Sequence, residues 1–130
     1  MKIVACIDDK KGMLFNNRRQ SRDRVLIENL EKHLDGREIY ISPYSKALFE
    51  KSAINYRVVE NPINEAGQGY CFIENTPLPT EAQEIIIYHW NRHYPADTYF
   101  TIDISSYSKT SCEEFVGSSH EKITKEVYVK

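Results

Sequence analysis

Four consecutive residues, Ile85-Ile86-Ile87-Tyr88, form the most hydrophobic run in the chain. An unbroken, mostly β-branched apolar run fits a strand covered on both faces, because a strand with one wet face alternates apolar and polar side chains. Such a strand needs a packed layer above and below it. That restricts the chain to an α/β architecture with this segment at the centre of the sheet. At 130 residues there is length for a single domain with one sheet and its covering layers.

The remaining elements are read outward from that strand. Lys2 to Ile7 is a second short apolar run, closed by the turn residues Asp8-Asp9-Lys10-Lys11-Gly12, and Met13 to Phe15 forms a further apolar patch. Leu26, Ile27, Leu30 and Leu34 share one helical face, so a helix capped by Ser21 or Asp23 runs to Leu34 and stops at Gly36. His33, near its carboxyl end, is placed to meet the last carbonyls. Arg37 to Ser42 reads as a strand ended by Pro43, Tyr44 to Lys51 as a short helix, Asn55 to Glu60 as a strand, and Asn61 to Gly69 as a loop. Tyr70 to Glu74 returns to strand, Thr80-x-x-Gln83 resembles a capping box, and Trp90 to Pro95 suits a short helix. Thr98 to Ile104 alternates as a strand, and the serine-rich tract from Ser105 to Ser111 reads as a surface loop. Ser118-x-x-Glu121 is a second capping-box pattern, leading into a last strand through Ile123 and Val127 to Val129.

Charge excludes some partners. Seventeen basic and nineteen acidic side chains leave a net charge of −2, so no global field gathers nucleic acid or an anionic membrane. No run of ~18 apolar residues spans a bilayer, and the apolar core of MKIVACIDDKK is too short for a signal peptide. A cytoplasmic protein is expected. Three widely spaced cysteines, Cys6, Cys71 and Cys112, form no C-x-x-C pair and fit free thiols; Cys6 and Cys71 lie in apolar runs and read as small core residues.

With these elements in order, IVACIDDKKGMLFNN resembles the opening strand and Gly-containing loop of the dihydrofolate reductase family, and SRDRVLIENLEKHLDGREIYISPYSKALFE resembles its first long helix, the next strand and a short helix. YPADTYFTID is similar to the family's Pro-x-Ala-Asp segment and the strand that follows. The resemblance implies a central mixed β-sheet flanked by helices. It also implies departures: Arg18-Arg19-Gln20 stands where the family has Leu-Pro-Trp, and Tyr88-His89-Trp90 stands where the family has a Gly-Gly pair against the dinucleotide phosphates. Asp23 falls near the family's pterin-binding carboxylate. Separately, FNNRRQSRDRVL with GSSHEKITKEVY resembles a group of short bacterial proteins labelled ribonuclease Z. That enzyme's zinc chemistry needs H-x-H-x-D-H, and His33, His89, His93 and His120 do not have that spacing.

The feature that points to a ligand is electrostatic. Arg18, Arg19, Arg22 and Arg24 crowd the start of the first helix, where partial positive charge already resides, so a negative companion is required. A bound phosphate on Arg18, Arg19 and Arg22 would supply it, and so would internal pairing with Asp8, Asp9, Asp23 or Glu28. Asp8 and Asp103, near strand ends, are candidates for binding a cation or hydroxyl, with turn chemistry for Asp8 and a surface position for Asp103 as the alternatives. His89 and His93 are spaced as a helical metal pair but lack further ligands, and a packed aromatic corner with Trp90 and Tyr94 is the simpler reading. Ser118, Ser119 and His120 are sequence neighbours, which does not make them nucleophile and base; capping explains the serines. The expectation is a protein that binds a phosphorylated small molecule or nucleotide through Arg18, Arg19, Arg22, Asp8 and Asp23. Two rivals stay open: an RNA-processing or RNA-binding protein, and a homodimeric interaction module built on its nine tyrosines.

Overall fold

The computed structural model describes residues 1–130. Seven strands form one mixed sheet: β1 (Lys2–Ile7), β4 (Ile39–Ile41), β5 (Tyr56–Val58), β6 (Tyr70–Phe72), β7 (Glu84–His89), β9 (Ser108–Phe115) and β10 (Ile123–Val129), in the order β5-β4-β6-β1-β7-β10-β9. The first five in that order run parallel, and β10 and β9 are antiparallel additions at one edge. The Ile85–Tyr88 run is interior, as its composition requires, but β1 holds the middle position and β7 lies beside it. β2 (Gly12–Phe15), β3 (Arg18–Arg19) and β8 (Thr98–Tyr99) make a separate three-stranded sheet.

The pleat sorts the core into two layers. Val4 of β1 and Ile86 and Tyr88 of β7 pack with Leu26, Ile27, Leu30 and Leu34 of α1 (Arg24–Leu34) and with Phe49 of α2 (Lys46–Phe49). Ile3, Ala5, Ile7, Ile85 and Ile87 point the other way, onto Met13 and Leu14 of the small sheet and onto Phe100, Ile102 and Tyr107. A helix therefore covers one face, and the other is closed mainly by the small sheet and irregular chain.

Helix α1 matches its sequence signals. Asp23 is the N-cap, its carboxylate accepting from the N–H groups of Val25 and Leu26, and Asp35 ends the helix in the left-handed conformation at φ 49°. His33 does not take up the last carbonyls. Arg37 does, donating to the carbonyls of Leu34 and His33, while Nδ1 of His33 lies 2.8 Å from Nζ of Lys125.

Several local expectations yield to tertiary context. Residues 61–69 contain a single helical turn, α3 (Pro62–Glu65), with proline at its first position. Thr80 to Gln83 forms no helix; the N–H of Gln83 donates to the Met1 carbonyl and its own carbonyl accepts from Lys130, so this segment joins both chain ends. Trp90 to Pro95 is also non-helical, and the strand expected over 98–104 is limited to Thr98 and Tyr99. The serine-rich tract is the largest difference. Ser108 to Phe115 is an exposed edge strand, because β10 supplies a hydrogen-bonding partner that composition alone does not reveal.

The thiols separate by environment. Cys71 is fully buried, Cys6 is partly covered and Cys112 is exposed on the edge strand. Burial pushes the Cys71 thiol up to about 11 and the Cys6 thiol higher still. Iodoacetamide at neutral pH is expected to alkylate Cys112 alone in the native protein and all three thiols in urea. Native modification of Cys6, read by peptide mass spectrometry, would contradict this packing.

Candidate functional site

The carboxyl ends of β1, β6 and β7 open onto a cleft, the place where α/β sheets hold ligands. Its floor is Cys6, Phe72 and Trp90, one wall is Leu26 and Ile27 of α1, and its rim carries Arg19, Gln20, Ser21, Arg22, Asp23 and Glu74. The cleft is nearly filled, with about 20 Å³ of free space, room for about one water. A wider concavity of about 460 Å³ adjoins it between α1 and α2, lined by Arg22, Glu28, Glu31, Leu48, Lys51 and Ser52 among others. Arg22 and Asp23 border both.

The four arginines do not act together. Arg19 makes a paired contact with Glu74, Nε to Oε2 at 2.9 Å and Nη2 to Oε1 at 3.0 Å, donates to the Tyr44 carbonyl and lies over the Tyr44 ring at 4.3 Å. Glu74 is held in turn by the Ser45 hydroxyl at 2.7 Å. Arg24 pairs with Glu28 one turn along α1. For these two the negative companion comes from within the chain. Arg18 and Arg22 are exposed and form no ion pair; Arg18 lines a shallow surface concavity with Tyr94 and Pro95.

Asp23 is not available to a ligand. Its side chain is 0% exposed. It accepts from the main-chain N–H groups of Val25, Leu26, Ser118 and Ser119, from both serine hydroxyls, and from Nδ1 of His120 at 3.0 Å. Burial alone would raise its pKa, but these donors outweigh burial and hold the carboxyl well below the usual range. Ser118 also caps α1, accepting from the N–H of Arg24 at 3.0 Å. Ser118 therefore caps a helix 94 positions away in sequence rather than one of its own, while Ser119 donates to Asp23 and to the Arg22 carbonyl. Gly117 permits the approach, since a Cβ there would lie 2.4 Å from Oδ2 of Asp23.

His120 was not among the expected site residues, yet it is the buried centre of this corner. Its side chain is 1% exposed, stacks on Trp90 at 4.6 Å, and presents Nε2 to the Tyr94 hydroxyl at 3.0 Å and the Ser21 hydroxyl at 3.2 Å. The expected aromatic corner around Trp90 and Tyr94 exists, but its histidine is His120. His89 instead contacts Glu126, and His93 is exposed. Nothing in the sequence spacing links Ser21, Asp23 and His120.

Asp8 serves the turn after β1. It accepts from the N–H groups of Lys10, Gly12 and Tyr94 and from the Gln20 amide, which more than offset its burial and lower its pKa. Asp103 is exposed and accepts from the N–H of Ser105.

No protein-family model matches the chain, and no curated protein matches it in sequence. Among solved structures, dihydrofolate reductase from Enterococcus faecalis, complexed with NADP(H) and RAB-propyl, matches with a TM-score of 0.66 over 98% of this chain and 94% of that one, at 9% identity. The fold is that of dihydrofolate reductase. The dinucleotide of that neighbour can be tested against the residues present here. A pyrophosphate needs close backbone approach and is suited by a helix N-terminus. At the end of β7 this chain has the buried side chains of Tyr88 and Trp90, and residues 90–97 form no helix. These residues do not fit a pyrophosphate there. No helix is long and apolar enough to cross a membrane.

Proposed function

We propose that this chain binds a phosphorylated small molecule, a nucleotide included, in the concavity between α1 and α2, with Arg22 as its anion contact. The observation that carries this reading is the isolation of the Arg22 guanidinium: it is exposed, has no hydrogen bond or ion pair within the chain, and borders both the concavity and the cleft. A guanidinium placed this way offers a planar, bidentate contact to phosphate. Lys51 supports it from the facing wall as a second cation without a carboxylate partner. The acids of the concavity are already engaged, Glu28 by Arg24 and Glu31 by the N–H of Ala53. Its volume of about 460 Å³ falls in the range of small-molecule sites. The neighbour's NADP(H) gives a precedent for a phosphorylated ligand on this architecture, though not for the position.

The test is thermal unfolding with inorganic phosphate, pyrophosphate, ATP and NADP(H). A ligand at ~100 times its Kd adds about 2.7 kcal/mol, a rise of several degrees in Tm. Arg22→Ala should abolish the rise, and Lys51→Ala should reduce it. Absence of any shift in the unmodified protein, or shifts unchanged in Arg22→Ala, would overturn the reading. Binding to RNA that weakens steeply with salt would favour a nucleic-acid partner instead.

A further inference from the structure

We propose that Ser21, His120 and Asp23 form a nucleophile, base and carboxylate relay that takes the acyl group from a small ester at the mouth of the cleft. This goes beyond ligand binding and does not depend on it.

The geometry is continuous across three side chains. Oγ of Ser21 lies 3.2 Å from Nε2 of His120, and Nδ1 of the same ring lies 3.0 Å from Oδ2 of Asp23. An ionised carboxylate only accepts, so Asp23 fixes the proton on Nδ1 and leaves the Nε2 lone pair directed at hydroxyls. The ring cannot turn away, because it is stacked on Trp90 and closed off from solvent. Asp23 and His120 are buried, whereas Ser21 is half-buried and lines the cleft, so the group that must meet substrate is the one at its surface. Capping does not account for the imidazole: four main-chain N–H groups and two hydroxyls already engage Asp23. The recurrence of this constellation on unrelated folds means that spatial arrangement, not sequence order, identifies it.

In the reaction, Ser21 Oγ attacks the ester carbonyl carbon while its proton passes to Nε2 of His120. Developing negative charge on the carbonyl oxygen has nearby donors in the Arg22 guanidinium and in the Arg22 main-chain N–H, which makes no hydrogen bond within the fold. The ester C–O bond breaks as His120 returns the proton to the departing alkoxide, leaving an acyl-serine. Water then attacks that acyl carbon, giving its proton to His120, and Ser21 leaves with it. Because the cleft itself has room for about one water, the acyl group must be a short one that stays at its mouth beside Ser21.

Tyr94 makes the proposal sharply testable. Its hydroxyl, 3.0 Å from Nε2, competes with Ser21 for the single lone pair. The probe is a small fluorophosphonate, whose fluoride is displaced by an activated serine oxygen, with adducts located by peptide mass spectrometry. Labelling is expected at Ser21, at least ~100-fold faster than at any other serine, as general-base assistance implies, and is lost in urea. Ser21→Ala should remove the adduct. His120→Gln should slow it by the same factor if the variant melts cooperatively. Should that variant fail to fold, Tyr94→Phe carries the test, because it keeps the His120–Asp23 pair and should label Ser21 several-fold faster. No adduct at Ser21 in either the unmodified protein or Tyr94→Phe, or adducts spread evenly over the serines, would overturn the relay and leave a buried structural histidine. Phosphate-induced thermal shifts are scored separately, so failure here and failure of anion binding are distinguishable.

Discussion

Asp23→Ala is expected to destabilise the fold by about 3–5 kcal/mol, the range for removing one partner from a buried charge network. The carboxylate joins two distant segments, the start of α1 and residues 118–120. Its loss leaves the N–H groups of Val25, Leu26, Ser118 and Ser119 and the His120 ring without their acceptor in a corner closed to water. Loss of a helix cap alone would account for only about 1 kcal/mol, so a larger measured value separates the network from simple capping. Urea unfolding monitored by Trp90 fluorescence checks this, because the indole stacks directly on His120. The pH dependence follows from the sign of the shift. The folded pKa of Asp23 lies below its unfolded value, so its contribution is fully present above the unfolded pKa of about 4 and is lost as pH falls through the folded pKa. The unmodified protein should lose stability steeply below about pH 4, and Asp23→Asn should show a shallower acid slope. Equal slopes would place the acid sensitivity elsewhere, with Asp8 the next candidate because its pKa is lowered by the same kind of donors.

Glu74→Ala is the second large effect, about 3 kcal/mol, at the lower end for a buried pair because Arg19 and Glu74 are 18% and 10% exposed. Removing the carboxylate strands a guanidinium against Tyr44 and leaves the Ser45 hydroxyl without its acceptor. For a chain of this length, the loss should lower Tm by roughly 10 °C. Replacing both partners, Arg19→Met with Glu74→Leu, should recover most of that loss, since burial of the ions is itself costly. If Glu74→Ala melts like the unmodified protein, the pair contributes little, and Arg19 would be as free as Arg22 to meet an anion.

The arginine cluster shows where sequence reasoning reaches its limit. Four cations near a helix start call for negative charge, and the chain supplies it in part, from three different acids: Glu74 for Arg19, Glu28 for Arg24, and Asp23 for the helix terminus itself, with Arg18 and Arg22 left without one. Glu28 is local, one helical turn from Arg24, and is the one of the four acids named from the sequence that does pair with an arginine. Glu74 is 55 positions from Arg19 and reaches it only because the end of β6 abuts the small sheet. Arg22 differs from its neighbours through nothing in the sequence; it is free because the chain turns it outward between two concavities.

Local pattern determined α1, a cap at Ser21 or Asp23, the apolar strands β1 and β7, and the α/β class, because periodicity and capping act over a few residues and need no partner. Tertiary structure decided that Ser108 to Phe115 is a strand, since an exposed polar segment becomes one only when a neighbour such as β10 supplies hydrogen bonds. It also decided the alignment of Ser21, His120 and Asp23. A hydrogen bond between groups 97 positions apart depends on how the chain returns to itself, and that is set by packing the whole sheet rather than by any spacing along the sequence.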